Sequence, residues 1–466
     1  MFLYIIIIAL LCLAGVLLAR HKNIVNLCGM MFFVAQISMA VNSVINLGID
    51  YWTFFTLDHL GVTYLCMMSV MGLLTAWRSM RYLDSESLRH RKIYFTSLIL
   101  LSITLIGVYL SNNLAVTWIF LEATTVATAG LTYHRRTGRA LEATWKYIFV
   151  SSVGIAIAYL GVLLLSTASP DTLSYSGLST ALADGGNSLY LRLAFLFILV
   201  GYSTKLEIFP LFTVGVDANH SAPTPASAFI SSALVGGGFV ALFRVYRVME
   251  HSSEIQWVRG VLIVVALLSI VAAAVYLGRT NNYKRLLAYS TLENSGLTML
   301  GLGLGGVGVV AALLHSMAHT MIKGVSYLQM SIVGRMFHTY RIGRIGGYAA
   351  LDTVGSIVIT LSLVALIAMP PSVLFRSEFM MLSQLLNSPL WWLIILIGLP
   401  LLVCLYWIVS KALQILYRPI ESKTIDRTQN DTALSWILLA VIGVVFYFGA
   451  VDSDFLTHLI QQIVNQ

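Results

Sequence analysis

Charge is scarce in this sequence: Asp, Glu, Lys and Arg supply only 10% of 466 residues, against 58% hydrophobic, and the mean hydropathy is +0.85. Soluble domains carry roughly a quarter charged residues, so a water-soluble globule is excluded. Long polar stretches are missing too. The longest, roughly 168–189 and 417–434, are too short to fold as a soluble domain. Only four cysteines occur, and Cys12, Cys28, Cys66 and Cys404 all sit in apolar runs without metal spacing. They read as small hydrophobic side chains rather than disulfide or zinc ligands. No CxxC cluster, haem-ligand pair or nucleotide-binding loop is present, so no cofactor, metal or redox centre is expected in the chain itself.

What the sequence does have is long apolar runs. Met1 to Ala19, Ile93 to Leu110, Trp257 to Leu277 and Trp436 to Ala450 are nearly free of charge. They approach the ~20 residues that cross ~30 Å of hydrocarbon. The first could be a secretory signal peptide. However, its basic residues, Arg20 and Lys22, follow the apolar stretch instead of preceding it, and it reads as a retained span. About fourteen spans are predicted, near 2–19, 24–46, 53–76, 93–110, 113–133, 145–167, 190–212, 225–246, 257–277, 286–304, 307–333, 351–386, 389–415 and 433–450. The runs lack barrel-strand alternation, so the fold class is all-α and polytopic.

The loops sort the positive charge. Those after odd-numbered spans hold 20 of the 28 Lys and Arg, among them Arg78, Arg81, Arg135, Arg136, Arg285, Arg344 and Lys423; those after even-numbered spans hold almost none. The positive-inside rule then puts both termini outside and the basic loops in the cytoplasm or its organellar equivalent. A bacterial or archaeal cell membrane is the expected location. The net charge of +8 is thus a topology signal and implies no nucleic-acid partner.

Ionisable groups at membrane depth are costly and mark function. Glu122 lies deep in the fifth span; Lys205, with Glu207 two residues on, lies in the seventh; Glu293 lies in the tenth. His315, His319 and Lys323 recur every fourth residue on one helix face, and Arg376 and Glu378 follow Pro370-Pro371. The two histidines have a metal-ligand spacing but no visible third ligand. Any one charge could be a structural ion pair, and Lys205 could reach an interface. Arg376 and Glu378, two apart, do not face each other on a regular helix. Taken together, acids, histidines and lysines spread over several spans are what a proton relay requires. Pro210, Pro223, Pro225 and Pro370-Pro371 predict broken helices near 201–212 and 366–380, each close to a buried charge. Such breaks point to a transport path built on an inverted repeat. Residues 93–247 and 257–415 would be two five-helix copies, between an N-terminal segment at 1–92 and a last span and tail at 433–466. Glu122 would then correspond to Glu293, and Lys205 to Glu378.

Seven segments in order make the chain resemble a known family. They are LEATTVATAGL (121–131), ALEATWKYIFVSSVGI (140–155), GYSTKLEIFP (201–210), APTPASA (222–228), NYKRLLAYSTLENSG (282–296), LLHSMAHTMIKG (313–324) and PPSVLFRSEF (370–379). The family is the antiporter-like proton-transporting subunits of respiratory complex I, of membrane-bound nickel–iron hydrogenases and of multisubunit cation/proton antiporters. The hydrogenase-4 or formate hydrogenlyase type looks closest. The resemblance implies fourteen core helices, two inverted repeats and broken seventh and twelfth helices. It makes Glu122 the acidic partner of the first half and Lys205 the central proton carrier. His319 and Lys323 continue the relay with His315 and Glu293, and Glu378 is its terminal group. The partners implied are other membrane subunits and a soluble redox arm.

Two departures stand out. The family's Pro-His-x-Trp-Leu-Pro-Asp-Ala-His loop reads PLFTVGVDANHSAP (210–223) here, keeping Asp217, with Asn219 at the expected histidine and His220 one place late. Gly236 falls where relatives often carry a Lys, His or Asn bridging the two halves. Three functions remain open: a proton-translocating subunit of a redox complex, a subunit of a cation/proton antiporter, and a membrane scaffold that has lost conduction.

Overall fold

The structure is a computed structural model, and it describes residues 2–169, 172–419 and 425–465; Lys423 lies outside them. In lipid every backbone polar group must be satisfied within the segment, so apolar runs become helices. The scarce polar residues cluster at their ends as caps. Asp58, Ser87, Asn113 and Thr137 each accept a backbone N–H at the start of a helix, as do Asn187, Asn282, Asp352, Ser372 and Asp431 later in the chain. Among the described residues, ten helices are long and apolar enough to cross a membrane.

The chain divides into two compact units, Met1–Val261 and Leu262–Asn465. In the first, α1 (Phe2–Leu18), α2 (Lys22–Ile45), α3 (His59–Tyr82), α4 (Leu88–Leu110), α5 (Leu114–Thr132) and α6 (Gly138–Ser166) run in succession. A two-residue hairpin, Asp50–Tyr51 against Phe55–Thr56, lies between α2 and α3. The polar 168–189 stretch holds a short helix, α7 (Tyr175–Ala183), ahead of α8 (Ser188–Leu206). α8 ends early. Residues 207–212 break it, and α9 (Thr213–Ser221) follows. The prolines at 223 and 225 start a new helix, α10 (Thr224–Phe229). It continues through a π-turn (Ile230–Leu234) into α11 (Val235–Glu250). This segment is buried all round, and Gly236-Gly237-Gly238 lets neighbouring elements approach closely.

α12 (Ile255–Arg279) carries the chain from the first unit into the second. There follow α13 (Tyr283–Leu304) and α14 (Val307–Met336), 22 and 30 residues long, which carry Glu293 and the His315–His319–Lys323 face. After a short α15 (Tyr348–Leu351), the expected 351–386 span is two helices, α16 (Thr353–Leu366) and α17 (Val373–Leu386), with the break at 367–372. α18 (Leu393–Tyr417) and α19 (Thr432–Ala450) are apolar spans. The tail then forms α20 (Asp454–Asn465), whose Leu456, Ile460 and Ile463 are buried at helical spacing.

One clasp ties the first unit together, and the sequence did not advertise it. Arg244 on α11 donates from Nη2 to both oxygens of Asp58 at 2.8 Å, and to the Tyr109 carbonyl at 2.6 Å. Its Nη1 donates to the Val108 and Ser111 carbonyls at 3.1 and 2.6 Å. Asp58 meanwhile caps α3. Removing one partner of a buried, hydrogen-bonded pair leaves the other uncompensated, so Asp58→Asn should cost about 3 kcal/mol. Thermal unfolding of the detergent-solubilised chain should show a lowered midpoint for Asp58→Asn and a smaller loss for Asp58→Glu.

Candidate functional site

In the first unit the candidate site forms where α5, α6 and α8 meet. Lys205 is 1% exposed, an ammonium inside a span, and needs compensating partners. Its Nζ donates to Thr125 Oγ1 at 2.7 Å and to the Tyr147 hydroxyl at 3.4 Å, and lies 5.3 Å from the centre of the Tyr147 ring. Thr125 is also the neighbour of Glu122, 3.5 Å from its Oε2, and the Ser152 hydroxyl donates to Glu122 Oε1 at 2.6 Å. Glu122 and Lys205 are thus brought together through Thr125, and among the described residues they form no direct ion pair. From the other side α11 presses on the lysine: a Cβ at Gly238 would lie 3.1 Å from Lys205 Cβ.

Just beyond Lys205 the helix stops at Glu207, which adopts the left-handed conformation (φ 55°) and is 2% exposed. Asn219, on α9, donates to its Oε1 at 2.7 Å. The asparagine found at the expected histidine position therefore binds Glu207. Asp217 and His220 lie on the same short helix, both partly buried. Gly236 packs where a bridging side chain was expected. A Cβ there would lie 3.1 Å from the Tyr64 ring and 3.4 Å from the Tyr109 hydroxyl. That hydroxyl donates to the Ala233 carbonyl of the π-turn at 2.6 Å. Two buried tyrosines fill the space a long side chain would need.

The second unit repeats the chemistry with different residues. Lys323 is fully buried on α14; its Nζ donates to the Leu287 carbonyl of α13 at 2.6 Å and to the Ser290 hydroxyl. His315 Nδ1 is 2.9 Å from Ser377 Oγ on α17, and His319 lies one turn further along α14. Glu293 and Glu378 line one cavity of about 460 Å³, whose remaining wall is apolar, including Leu297, Leu300, Phe375 and Leu401. Arg376 is not part of this group. It pairs with Asp452 at 2.6 Å, beyond the last span. No cluster able to hold a metal occurs among the described residues.

Sequence reading missed the hydroxyls Thr125, Ser152, Ser290 and Ser377 and the phenol of Tyr147. Only Thr125, one turn from Glu122, carried a local signal.

With this geometry in hand, known proteins offer comparisons. The family described as NADH:quinone oxidoreductase/Mrp antiporter, transmembrane, matches residues 111–403, more than half of the chain. The hydrogenase-4 component F homolog of Methylacidiphilum infernorum is 29% identical over 72% of this chain and 74% of its own. NADH-quinone oxidoreductase subunit N of Moorella thermoacetica is 26% identical over 84% of this chain and 83% of its own. A chain of an archaeal membrane-bound sulfane sulfur reductase shares the fold, with a TM-score of 0.88 at 21% identity, covering 99% of this chain and 95% of that one.

Thr125→Val keeps the side-chain shape and removes the hydroxyl that Lys205 and Glu122 share. Leaving a buried ammonium short of a partner should cost about 1–3 kcal/mol. The expected outcome is a lowered thermal midpoint in detergent, with Thr125→Ser close to wild type.

Proposed function

Because the chain belongs to the NADH:quinone oxidoreductase/Mrp antiporter transmembrane family, we propose that it is a proton-translocating subunit of an energy-converting redox complex. The observation that carries this reading is Lys205, a buried lysine in a span whose hydroxyl partner also serves a carboxylate. Moving Glu122 closer favours the ammonium; moving it away favours release of the proton. A redox-driven displacement in a neighbouring subunit would drive that change. Lys205 is the central carrier and Glu122 its acidic partner, with Glu207, Asp217 and His220 in support. Glu293, His315, His319, Lys323 and Glu378 form the relay of the second half.

The fuller architecture belongs to the same proposal: about fourteen spans, two inverted five-helix repeats near 93–247 and 257–415, and both termini on the outer face of a cell membrane. It is supported by helix breaks that fall close to Lys205 in one half and Glu378 in the other. The partners are other membrane subunits and a soluble redox arm, of hydrogenase-4 type on the strength of the 29% identical relative.

A second reading is a subunit of a multisubunit cation/proton antiporter. It is favoured by Glu293 and Glu378 sharing one cavity, since paired carboxylates suit a small cation.

Lys205→Ala is expected to abolish proton pumping by the assembled complex in proteoliposomes while its subunits still copurify. Undiminished pumping would sink the proposal. Transport that requires sodium and is lost in Glu293→Gln or Glu378→Gln would favour the second reading instead.

A further inference from the structure

The proposed relay leaves a buried imidazole of the first unit unused. His134 sits just past the end of α5 and is 5% exposed, yet neither ring nitrogen has a hydrogen-bond partner in the protein. Its Nε2 points at Glu86, 4.0 Å from Oε1, and the other Glu86 oxygen lies 3.1 Å from His90 Nδ1. The rings of His90 and Tyr94 meet the His134 ring edge-on, at 5.8 and 5.5 Å between centres. Glu86 and His90 reach the surface, with side chains 36% and 30% exposed. These groups therefore run from solvent to a buried imidazole.

The loop that carries Glu86 is held firmly. Arg91, itself buried, donates to the Leu83 carbonyl at 2.6 Å, to Asp84 Oδ1 at 3.2 Å and to Asn26 Oδ1 at 2.9 Å. The charged and titratable groups acting on His134 are Glu86, His90, Arg135 and Arg136, with Tyr94 against its ring. Burial holds its imidazole down at about 4. It is therefore neutral near pH 7, able to accept a proton on one nitrogen and release one from the other without trapping it.

Inward from His134, α5 shows Thr132, Thr128 and Thr125 on its buried face, all fully buried. Successive hydroxyls are three or four residues apart, about 4.5–6 Å along the axis, a gap that one water spans. α4 adds polar groups alongside: Tyr94, hydrogen-bonded to Ser79 at 2.6 Å, and Ser97, which abuts Gly130. The stripe ends at Thr125, the acceptor of Lys205 Nζ.

We propose that Glu86, His90 and His134 form a proton-collecting site that loads Lys205 along the threonine stripe of α5. The Glu86 carboxyl gives its proton to His134 Nε2, and the imidazolium releases the Nδ1 proton inward through water to the Lys205 amine. Glu86 is reprotonated from solvent beside His90. This inference rests on Lys205 being a proton carrier.

The test is proton uptake by the assembled complex in proteoliposomes, followed with a pH-sensitive dye alongside electron transfer. His134→Ala should slow uptake about tenfold or more. Added imidazole should restore the rate, whereas pyrrole, of the same size but not basic, should not. Glu86→Gln should slow uptake likewise, and it decides the matter if His134→Ala fails to assemble. Wild-type uptake in both variants, or a loss in His134→Ala that imidazole does not restore, overturns the collecting site. Lys205→Ala separates the two readings. If it abolishes uptake while His134→Ala and Glu86→Gln stay normal, only the collecting site falls; if Lys205→Ala itself pumps normally, the carrier role falls as well.

Discussion

An ammonium inside hydrocarbon is among the most expensive groups a span can hold, and the packing around Lys205 follows from that cost. Each neighbouring helix contributes something to it. α5 supplies the hydroxyl acceptor of Thr125, α6 supplies the ring and hydroxyl of Tyr147, and α11 closes over the backbone at Gly238. The chain then stops being helical two residues later, at Glu207. None of these contacts is a full counter-charge. The lysine is held by dipoles, with the nearest carboxylate one hydroxyl away, an arrangement that stabilises the charge without fixing it permanently.

The same solution recurs in the second unit. Lys323 donates to the Ser290 hydroxyl and the Leu287 carbonyl, again on a neighbouring helix. Ser377 does for His315 what Thr125 does for Lys205. Hydroxyls suit this work because each both donates and accepts, and because a Ser or Thr returns its own hydrogen bond to the helix backbone at little cost. Ion pairs occur elsewhere: Arg244 with Asp58 inside the first unit, and Arg376 with Asp452 at the surface, where the aspartate side chain is 91% exposed. The Arg244–Asp58 pair is thus a clasp within the first unit, whereas Lys205 is held by hydroxyls and an aromatic ring.

Gly236 shows how packing alters a reading made from type alone. As a letter in the sequence it is a missing relay group. In the fold it is the contact point of Tyr64 and Tyr109, and the Tyr109 hydroxyl turns to the π-turn carbonyl of Ala233. Asn219 is similar: out of place against the family loop, it is the partner of Glu207.

Much of this protein was legible from its residues. Helices follow from runs too apolar for water, and the ionisable groups Glu122, Lys205, Glu293, His315, His319, Lys323 and Glu378 are visible because they interrupt otherwise apolar spans. Prolines announced the breaks after Lys205 and before Arg376. All of these are local signals, written within one turn or one span. Only the tertiary structure decided which groups meet. Thr125 and Lys205 are 80 positions apart, Asp58 and Arg244 186, and Arg376 turns away from Glu378 to a residue past the last span. Hydrophobic patterning says which segments enter the membrane, but a hydroxyl looks the same whether it caps a backbone or accepts from a buried lysine. Its role is set by what another helix brings within 3 Å, and that depends on how the helices pack.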